Sequence, residues 1–164
     1  TIDPSVLDQD YEFPIKPDMF KGLDNEIMAA FEANNAQFGA LLNNEAEGYP
    51  LIQMLSDAYD VISKYGIGCL IIEHNPEAFT ELAEYYRGYR RRYFEQIKGY
   101  VEVYIKKGEF REVEDIFYTT RAIVEIMAWW GMHIMNDAFE CDKTISVENA
   151  KAVCMDVLIN AYSI

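Results

Sequence analysis

Histidine and cysteine are scarce in this sequence, which leaves little material for metal or disulfide chemistry. Its 164 residues include two histidines and three cysteines. Neither histidine has a glutamate three positions before it, so the Glu-x-x-His pairs of di-iron bundles are missing, and so is a His-Glu-x-x-His motif. The cysteines form no Cys-x-x-Cys pair and leave one over, which argues against a disulfide framework or a zinc ribbon and favours a reducing compartment. We therefore expect no metal, no cofactor and a cytoplasmic location.

Basic residues are also few, with 14 Lys and Arg against 28 Asp and Glu and a net charge of −14. Binding to nucleic-acid phosphates needs clustered Lys and Arg, so we do not expect this surface as a whole to bind nucleic acid. The sign of the charge reverses only within residues 87–107. The bases there are Arg87, Arg90, Arg91, Arg92, Lys98, Lys106 and Lys107. The arginines spread around a helix, which predicts a solvated, salt-bridged face.

The motifs of common catalytic and nucleotide-binding sites are absent as well. Gly66-Ile67-Gly68 lacks the third glycine and the preceding strand of a dinucleotide-binding turn, and it predicts a helix break instead. No serine lies in a Gly-x-Ser-x-Gly context, and no Gly-Lys-Ser/Thr loop occurs. We therefore predict that the protein is not an enzyme.

One long apolar run, Ile116 to Met135, is long enough as a helix to match a bilayer core. It contains Arg121, Glu125 and His133, and an arginine at mid-span costs about 3 kcal/mol even on a lenient insertion scale. A helix buried within a protein explains the same pattern without that cost. We predict no membrane span.

Apolar and aromatic residues at helical spacing are abundant, at 51% and 14% of the chain. One domain of this length can bury a sizeable core with them. Residues 1–17 hold three of the five prolines and no sustained periodicity, so we predict an irregular lead-in there and a helical domain over 18–164. Period-two runs and hairpin signals are nearly absent, so the predicted class is an all-α helical bundle.

The last two predicted helices are apolar almost all round, which requires burial almost all round. A terminal helix is seldom enclosed by its own chain, so we predict a homodimer in which these helices of two copies form a four-helix contact. The predicted interface residues are Ile123, Met127, Trp130, Ile134, Val147, Cys154, Val157, Leu158, Ala161 and Tyr162. The alternative is a central hairpin inside a monomer.

A stripe of tyrosines follows steps of three and four along the longest helix, and the next helix carries a second polar and aromatic stripe. The residues predicted to line a pocket between them are Tyr86, Tyr89, Tyr93, Tyr100, Tyr118, Arg121, Glu125 and Trp129. Aromatic walls with a few hydroxyls suit a mainly apolar, drug-sized ligand, and Arg121 could anchor its acidic or carbonyl head beside Glu125. The alternative is a plain core stripe and a solvated ion pair.

The order of segments carries a family resemblance. Asn75-Pro76-Glu77 precedes a long helix that ends Lys107-Gly108-Glu109-Phe110-Arg111, and Ile145-Ser146-Val147-Glu148 opens a last apolar helix. This order resembles the C-terminal half of TetR-family transcriptional regulators, clearly over 76–164 and by helix order alone over 18–75. The resemblance implies an effector-binding and dimerisation domain whose last two helices pair the dimer.

A second resemblance lies in residues 11–19. Their sequence is similar to the Tyr-x-Phe-x-x-Lys-x-x-Leu stretch that closes the family's helix-turn-helix, where Tyr and Lys approach DNA phosphates. The resemblance carries those roles to Tyr11 and Lys16, although Asp10 and Glu12 would repel phosphate. Because the chain begins at Thr1 rather than Met, we expect a cut fragment or a missing beginning, and the rest of the DNA-binding domain has been removed, precedes this chain or has decayed. Operator DNA would then be bound only through that missing N-terminal domain.

Together these features predict the ligand-sensing and dimerisation domain of a TetR-like transcriptional regulator, with a small, mainly apolar effector. Effector binding would shift the spacing of DNA-binding domains absent from this chain. The alternative is a helical interaction or dimerisation module without a small-molecule ligand. A packed core without a cavity would favour this alternative.

Overall fold

A computed structural model describes residues 22–136 and 144–164 of the chain. Its elements are α1 (Leu23–Ala40), a 3₁₀ turn (Leu42–Asn44), α2 (Leu51–His74), α3 (Thr80–Lys107), α4 (Ile116–Ala128), a π-helical segment (Trp129–His133), α5 (Ile134–Asn136) and α6 (Val147–Tyr162). Within these ranges the one extended pairing is a single bridge between Phe110 and Ser163. The all-α prediction is confirmed.

The helix boundaries follow local capping chemistry. The side chain of Asp115 accepts a hydrogen bond from the Tyr118 amide at the start of α4, and Ser146 caps α6 in the same way. Such caps satisfy amides that a helix start leaves unpaired. At the other end of α3, Gly108 adopts a left-handed φ of 71°, which glycine tolerates without steric cost. The end of the long helix at Lys107-Gly108 and the start of the last helix at Ser146, both indicated by the sequence, are therefore confirmed.

The predicted helix break at Gly66-Ile67-Gly68 is wrong, because α2 runs unbroken from Leu51 to His74. Gly66 serves packing instead. A Cβ atom there would lie 3.0 Å from the Cγ of Met132, so the missing side chain lets the π-helical segment approach α2 closely. Asn75, which opens the Asn75-Pro76-Glu77 segment before the long helix, closes α2 by donating from its side-chain amide to the Ile71 carbonyl at 2.9 Å.

Helix α3 is the centre of the bundle. Its tyrosines bond to α1 in ascending order, from Tyr85 with Met28 to Tyr100 with Phe38, so the two helices run in the same direction. Helix α2 runs antiparallel to α3. Tyr104, near the end of α3, donates to the carbonyl of Tyr49, which lies just before the start of α2. Helix α4 packs against α3 and α2, and α6 packs against α2, α4 and the π-helical segment.

The end of α6 is tied to the connection between α3 and α4. The Phe110 and Tyr162 rings stack with centroids 5.0 Å apart, and the Arg111 amide donates to the Tyr162 carbonyl at 2.9 Å. The Arg111 Nε donates to the Ala161 carbonyl at 2.7 Å. The motif that carries the family resemblance therefore anchors the terminal helix of this chain.

No helix among the described residues combines the length and apolarity that crossing a membrane would require. The run from Ile116 to Met135 is instead divided among α4, the π-helical segment and α5. Ile123, Met127 and Met132 within it are buried among the other helices. The π-helical segment itself was not predicted from the sequence.

Candidate functional site

The C-terminal half of the tyrosine stripe is solid core. The Tyr93 hydroxyl donates to the Ala58 carbonyl at 2.7 Å, and that of Tyr104 donates to the Tyr49 carbonyl at 2.6 Å. The Tyr100 hydroxyl donates to a carbonyl of α1. Each of these rings is buried, and each hydroxyl satisfies a carbonyl on a neighbouring helix or the segment before it. Tyr100, predicted to line a pocket, is therefore a core residue.

A small cavity lies beside the N-terminal half of the stripe, between α2, α3 and α4. Its lining residues are Val61, Ile62, Tyr65, Cys69, Tyr86, Tyr89, Arg90, Tyr93, Val124, Ala128 and Met132. The cavity volume is about 60 Å³. Sites for drug-sized ligands span roughly 300–1,000 Å³, so the predicted ligand size is wrong for this cavity.

The second stripe predicted for the pocket does not reach this cavity. Tyr118 is 71% exposed, and Arg121 forms a 2.7 Å ion pair with Glu125 in which both side chains are about half exposed. Trp129 is exposed as well. The placement of these four residues in the pocket is corrected accordingly: they lie on the outer face of α4 and its π-helical continuation.

The physical reason for this correction is the rotation of α4. Val124 and Ala128 face the cavity, and each is one position before a residue that was predicted to do so. One position is 100° around a helix, so the neighbouring Glu125 points elsewhere. Burying a charged pair costs more than burying valine and alanine, which directs the charged stripe to solvent.

Part of the predicted dimer interface is also corrected. Ile123, Met127, Cys154 and Leu158 are fully buried within one copy of the chain. They pack in the cluster around the C-terminal half of α3 and offer no surface to a partner. Because α4 and α6 already cover each other and α2, these residues form an intramolecular core.

The outer sides of α4 and α6 nevertheless expose large apolar side chains, which we call the α4–α6 apolar residues. They are Phe117, Tyr118, Trp129, Val147, Val153, Val157 and Ile164. Of the predicted interface, Val147, Val157 and Ala161 are exposed, whereas Trp130, Ile134 and Tyr162 are partly buried. Phe117 and Val153 were missed, although Val153 lies four positions before Val157 on one helix face.

The basic run of α3 is a salt-bridged face, as predicted. Arg92 pairs with Glu32 of α1 at 2.6 Å, and Arg90 pairs with Glu73 of α2 at 2.8 Å. Arg87 pairs with a glutamate of its own helix. Arg90 and Arg92 therefore join α3 to its neighbours, and the paired acids leave little of the concentrated positive charge that a nucleic-acid site needs.

The mouth of the cavity carries an ordered polar network. Glu73 accepts from both Arg90 and the Tyr86 hydroxyl, the latter at 3.0 Å. The Arg90 guanidinium lies 5.9 Å from the centre of the Tyr86 ring. Burial raises the pKa of the Cys69 thiol to about 11, so the thiol stays protonated near neutral pH. Burial also raises the pKa of Tyr86 and of Tyr89 well above 10.

A larger and more open cleft of about 330 Å³ lies between α1 and α2. Its acids are already paired, because Asp57 accepts from Tyr49 at 2.8 Å and Asp60 accepts from Lys151 at 2.6 Å. No motif of the sequence predicted this cleft. Its lining also includes Lys64, whose Nζ lies 5.1 Å from the centre of the Tyr65 ring, and Asn34, whose buried side-chain nitrogen has no hydrogen-bond partner among the described residues.

Tyr11 and Lys16, the predicted DNA-backbone contacts, lie outside the described residues. Within 22–136 and 144–164, no three His, Cys, Asp or Glu side chains come together as a metal ligand set. No known family model, curated protein or solved structure matches the chain. The likeness to TetR regulators therefore rests on the sequence motifs quoted above.

Proposed function

We propose that this chain is the dimerisation and ligand-sensing part of a TetR-like transcriptional regulator, with DNA contacted by a separate helix-turn-helix. The observation that carries this proposal is the exposure of the α4–α6 apolar residues. Phe117, Val153 and Val157 are each about half exposed, although the same two helices bury their other sides in the core. Helices α4 and α6 contact each other, and large apolar side chains exposed on two such neighbouring helices are typical of a surface that a partner covers.

A twofold contact between identical chains would cover these residues on both chains at once. Pairing α4 and α6 with their copies makes a four-helix arrangement, the simplest closed contact that uses one surface twice. Stable interfaces of obligate dimers bury about 2,000 Å² or more in total. Arg121 and Glu125 would then lie among apolar neighbours, where their ion pair already neutralises both charges.

The small cavity between α2, α3 and α4 is the candidate sensing site, because α4 and its π-helical continuation form both part of its wall and part of the proposed dimer surface. Ala128 and Met132 line the cavity, and Trp129 lies on the same turn with its ring exposed. A ligand that favours one position of this segment would shift the population of dimer arrangements. Its differential affinity for the two arrangements sets the size of that shift.

The oligomeric state tests the proposal. Val157→Asp combined with Ala161→Asp places two charges on the exposed side of α6 and should convert a dimer into a monomer in sedimentation equilibrium. Ile67→Asp combined with Ile71→Asp is the matched control, because both isoleucines are exposed and belong to α2 rather than to α4 or α6. The control should remain dimeric. A wild-type chain that is monomeric at micromolar concentration contradicts the proposal.

The alternative of an interaction module without a ligand has one observation in its favour. The C-terminal half of the tyrosine stripe is packed solid, and the cavity beside the other half holds only about 60 Å³. An adaptor would form the same dimer but would bind no small molecule saturably. Ligand titration of the wild-type dimer therefore separates the two functions.

A further inference from the structure

The cleft between α1 and α2 carries charges of opposite sign towards its two ends. Asp57 and Lys64 both line it, and Lys64 follows Asp57 by seven positions on α2. Seven positions are two turns of a helix, so the two residues share one face and lie about 10 Å apart along the helix axis. The cleft volume of about 330 Å³ reaches the range of small-molecule sites.

The carboxylate of Asp57 has no cationic partner among the described residues. It accepts from two neutral donors, the Tyr49 hydroxyl at 2.8 Å and the Gln53 side-chain amide at 2.7 Å. Burial, and after it the Asp57 carboxylate, raise the pKa of Tyr49, so the hydroxyl stays neutral. Asp60 of the same lining differs, because both of its oxygens accept from Lys151. A carboxylate has about four acceptor sites, so Asp57 can still accept from a cation.

N–H donors without an acceptor collect near Lys64. Its ammonium lies 5.1 Å from the centre of the Tyr65 ring and has no carboxylate partner among the described residues. Asn34 lines the same cleft, and its buried side-chain nitrogen lacks a hydrogen-bond partner within the described part of the chain. Burial acts to raise the pKa of Tyr65, but the N–H groups of Asn34 and Lys64 outweigh burial and lower that pKa, which places both donors near one oxygen.

A carboxylate of a ligand would supply the missing acceptor at this end. Buried donors normally find a partner, since leaving one unpaired is costly. The terminal torsion of an amide side chain is broad and roughly two-fold, so a half-turn of the Asn34 amide presents its nitrogen to a ligand in the cleft. The hydrogen bond from Lys64 to a carboxylate would be charge-assisted.

Between its ends the cleft presents an amide and apolar surface. Gln37 of α1 lines it with a side-chain amide, which donates and accepts as a peptide group does. Phe38, Leu41 and Val61 add apolar contacts. An extended peptide of three residues spans about 10 Å, the same length as the separation of Asp57 and Lys64 along α2. A water-sized group needs roughly 10–15 Å³, so the cleft has room for three small residues.

We propose that the α1–α2 cleft binds a zwitterionic tripeptide with small aliphatic side chains, its free ammonium at Asp57 and its free carboxylate at Lys64 and Asn34. A fatty acid or a diamine would leave one of the two charges of the cleft without a partner, which disfavours both. The inference goes beyond the proposed function, because the cleft lies outside the proposed dimer surface on α4 and α6.

Calorimetric titration of the whole chain with trialanine tests the proposal. N-acetyl-trialanine lacks the ammonium, trialaninamide lacks the carboxylate, and dialanine is too short to reach both ends. We expect saturable binding of trialanine and at least tenfold weaker binding of each of the other three. Equal affinity for trialanine and its two blocked forms would overturn the proposal, and so would a folded chain that does not bind trialanine.

Variants assign each terminus to its residue. Lys64→Gln should weaken trialanine binding about tenfold and should bind trialanine and trialaninamide equally, because it lacks the group that distinguishes them. Asp57→Asn should in the same way bind trialanine and N-acetyl-trialanine equally. Lys106→Gln and Asp156→Asn are the matched controls, since both residues are exposed and lie on other helices, and they should leave all affinities unchanged.

The pattern across the blocked peptides separates a binding role from a structural one. A variant that merely loosened the cleft would weaken all the peptides alike, and that outcome would overturn the assignment. A Lys64→Gln chain that keeps the full preference for the free carboxylate would also overturn it. Where Asp57→Asn fails to fold, the Lys64→Gln comparison decides alone, because Lys64 is an exposed residue.

Discussion

The two halves of α3 carry the same tyrosine spacing but have different surroundings. In the C-terminal half, Tyr100 and Tyr104 donate to carbonyls of α1 and of the segment before α2. In the N-terminal half, Tyr89 has no such partner among the described residues and borders a cavity. A regular aromatic stripe thus serves as core at one end and as a pocket wall at the other. What differs is the neighbouring helix, since α4 presents small side chains such as Ala128 to the N-terminal half.

Enlarging one alanine in each half should give the largest difference in stability between the two halves. Ala58→Leu inserts methylenes into the packed half and should lower the free energy of unfolding by about 1–3 kcal/mol. Ala128→Leu fills the cavity and should leave stability unchanged or slightly raised. Urea denaturation of both variants measures the difference. Equal destabilisation would mean that the cavity half is as tightly packed as the other.

Raising the pH should lower the free energy of unfolding through one buried thiol in each half. Burial raises the pKa of Cys69 beside the cavity and of Cys154 in the packed half from 9.0 to about 11. The folded state therefore favours the protonated thiols, so their stabilising effect is complete below pH 9 and is lost as the pH rises towards 11. A shift of two units in one thiol corresponds to at most about 2.7 kcal/mol.

Urea denaturation between pH 8 and 11 measures this loss. Cys69→Ala and Cys154→Ala should each flatten the dependence over that interval, while the tyrosines add a further fall above pH 10. Burial raises the pKa of Tyr59 and of Tyr100 to about 12, so their contribution continues beyond the thiols. A pH dependence unchanged by both cysteine variants would show that water reaches the thiols in the folded chain.

Removing one tyrosine hydroxyl from each half should give the smallest difference in stability between the two halves. Tyr104→Phe leaves the buried Tyr49 carbonyl without its donor and should cost about 1 kcal/mol. Tyr89→Phe removes a hydroxyl that has no partner among the described residues, so it should cost nothing or stabilise slightly. Thermal melts of the two variants side by side check this. A larger loss for Tyr89→Phe than for Tyr104→Phe would reveal a hydrogen bond of the Tyr89 hydroxyl in the folded chain.

The candidate site could be predicted only in part. The tyrosine stripe and the burial of Tyr86, Tyr89 and Tyr93 followed from helical spacing, and a cavity does lie between α3 and α4. The arginine was misplaced, because Arg90 rather than Arg121 lines this cavity. Periodicity gives the angle between residues of one helix, but the rotation of that helix against its neighbour depends on packing, and one position is 100°.

The sequence by itself determined the all-α class, the end of α3 at Gly108, the start of α6 at Ser146, and the apolar stripes, since these depend on local hydrogen bonding and on spacing along one helix. Only the tertiary structure decided which stripe became core, cavity wall or exposed face. The tertiary structure also decided that α2 continues through Gly66, where the nearby Met132 occupies the space that a side chain would need. Such outcomes depend on distances between helices far apart in the chain, and no local pattern encodes those distances.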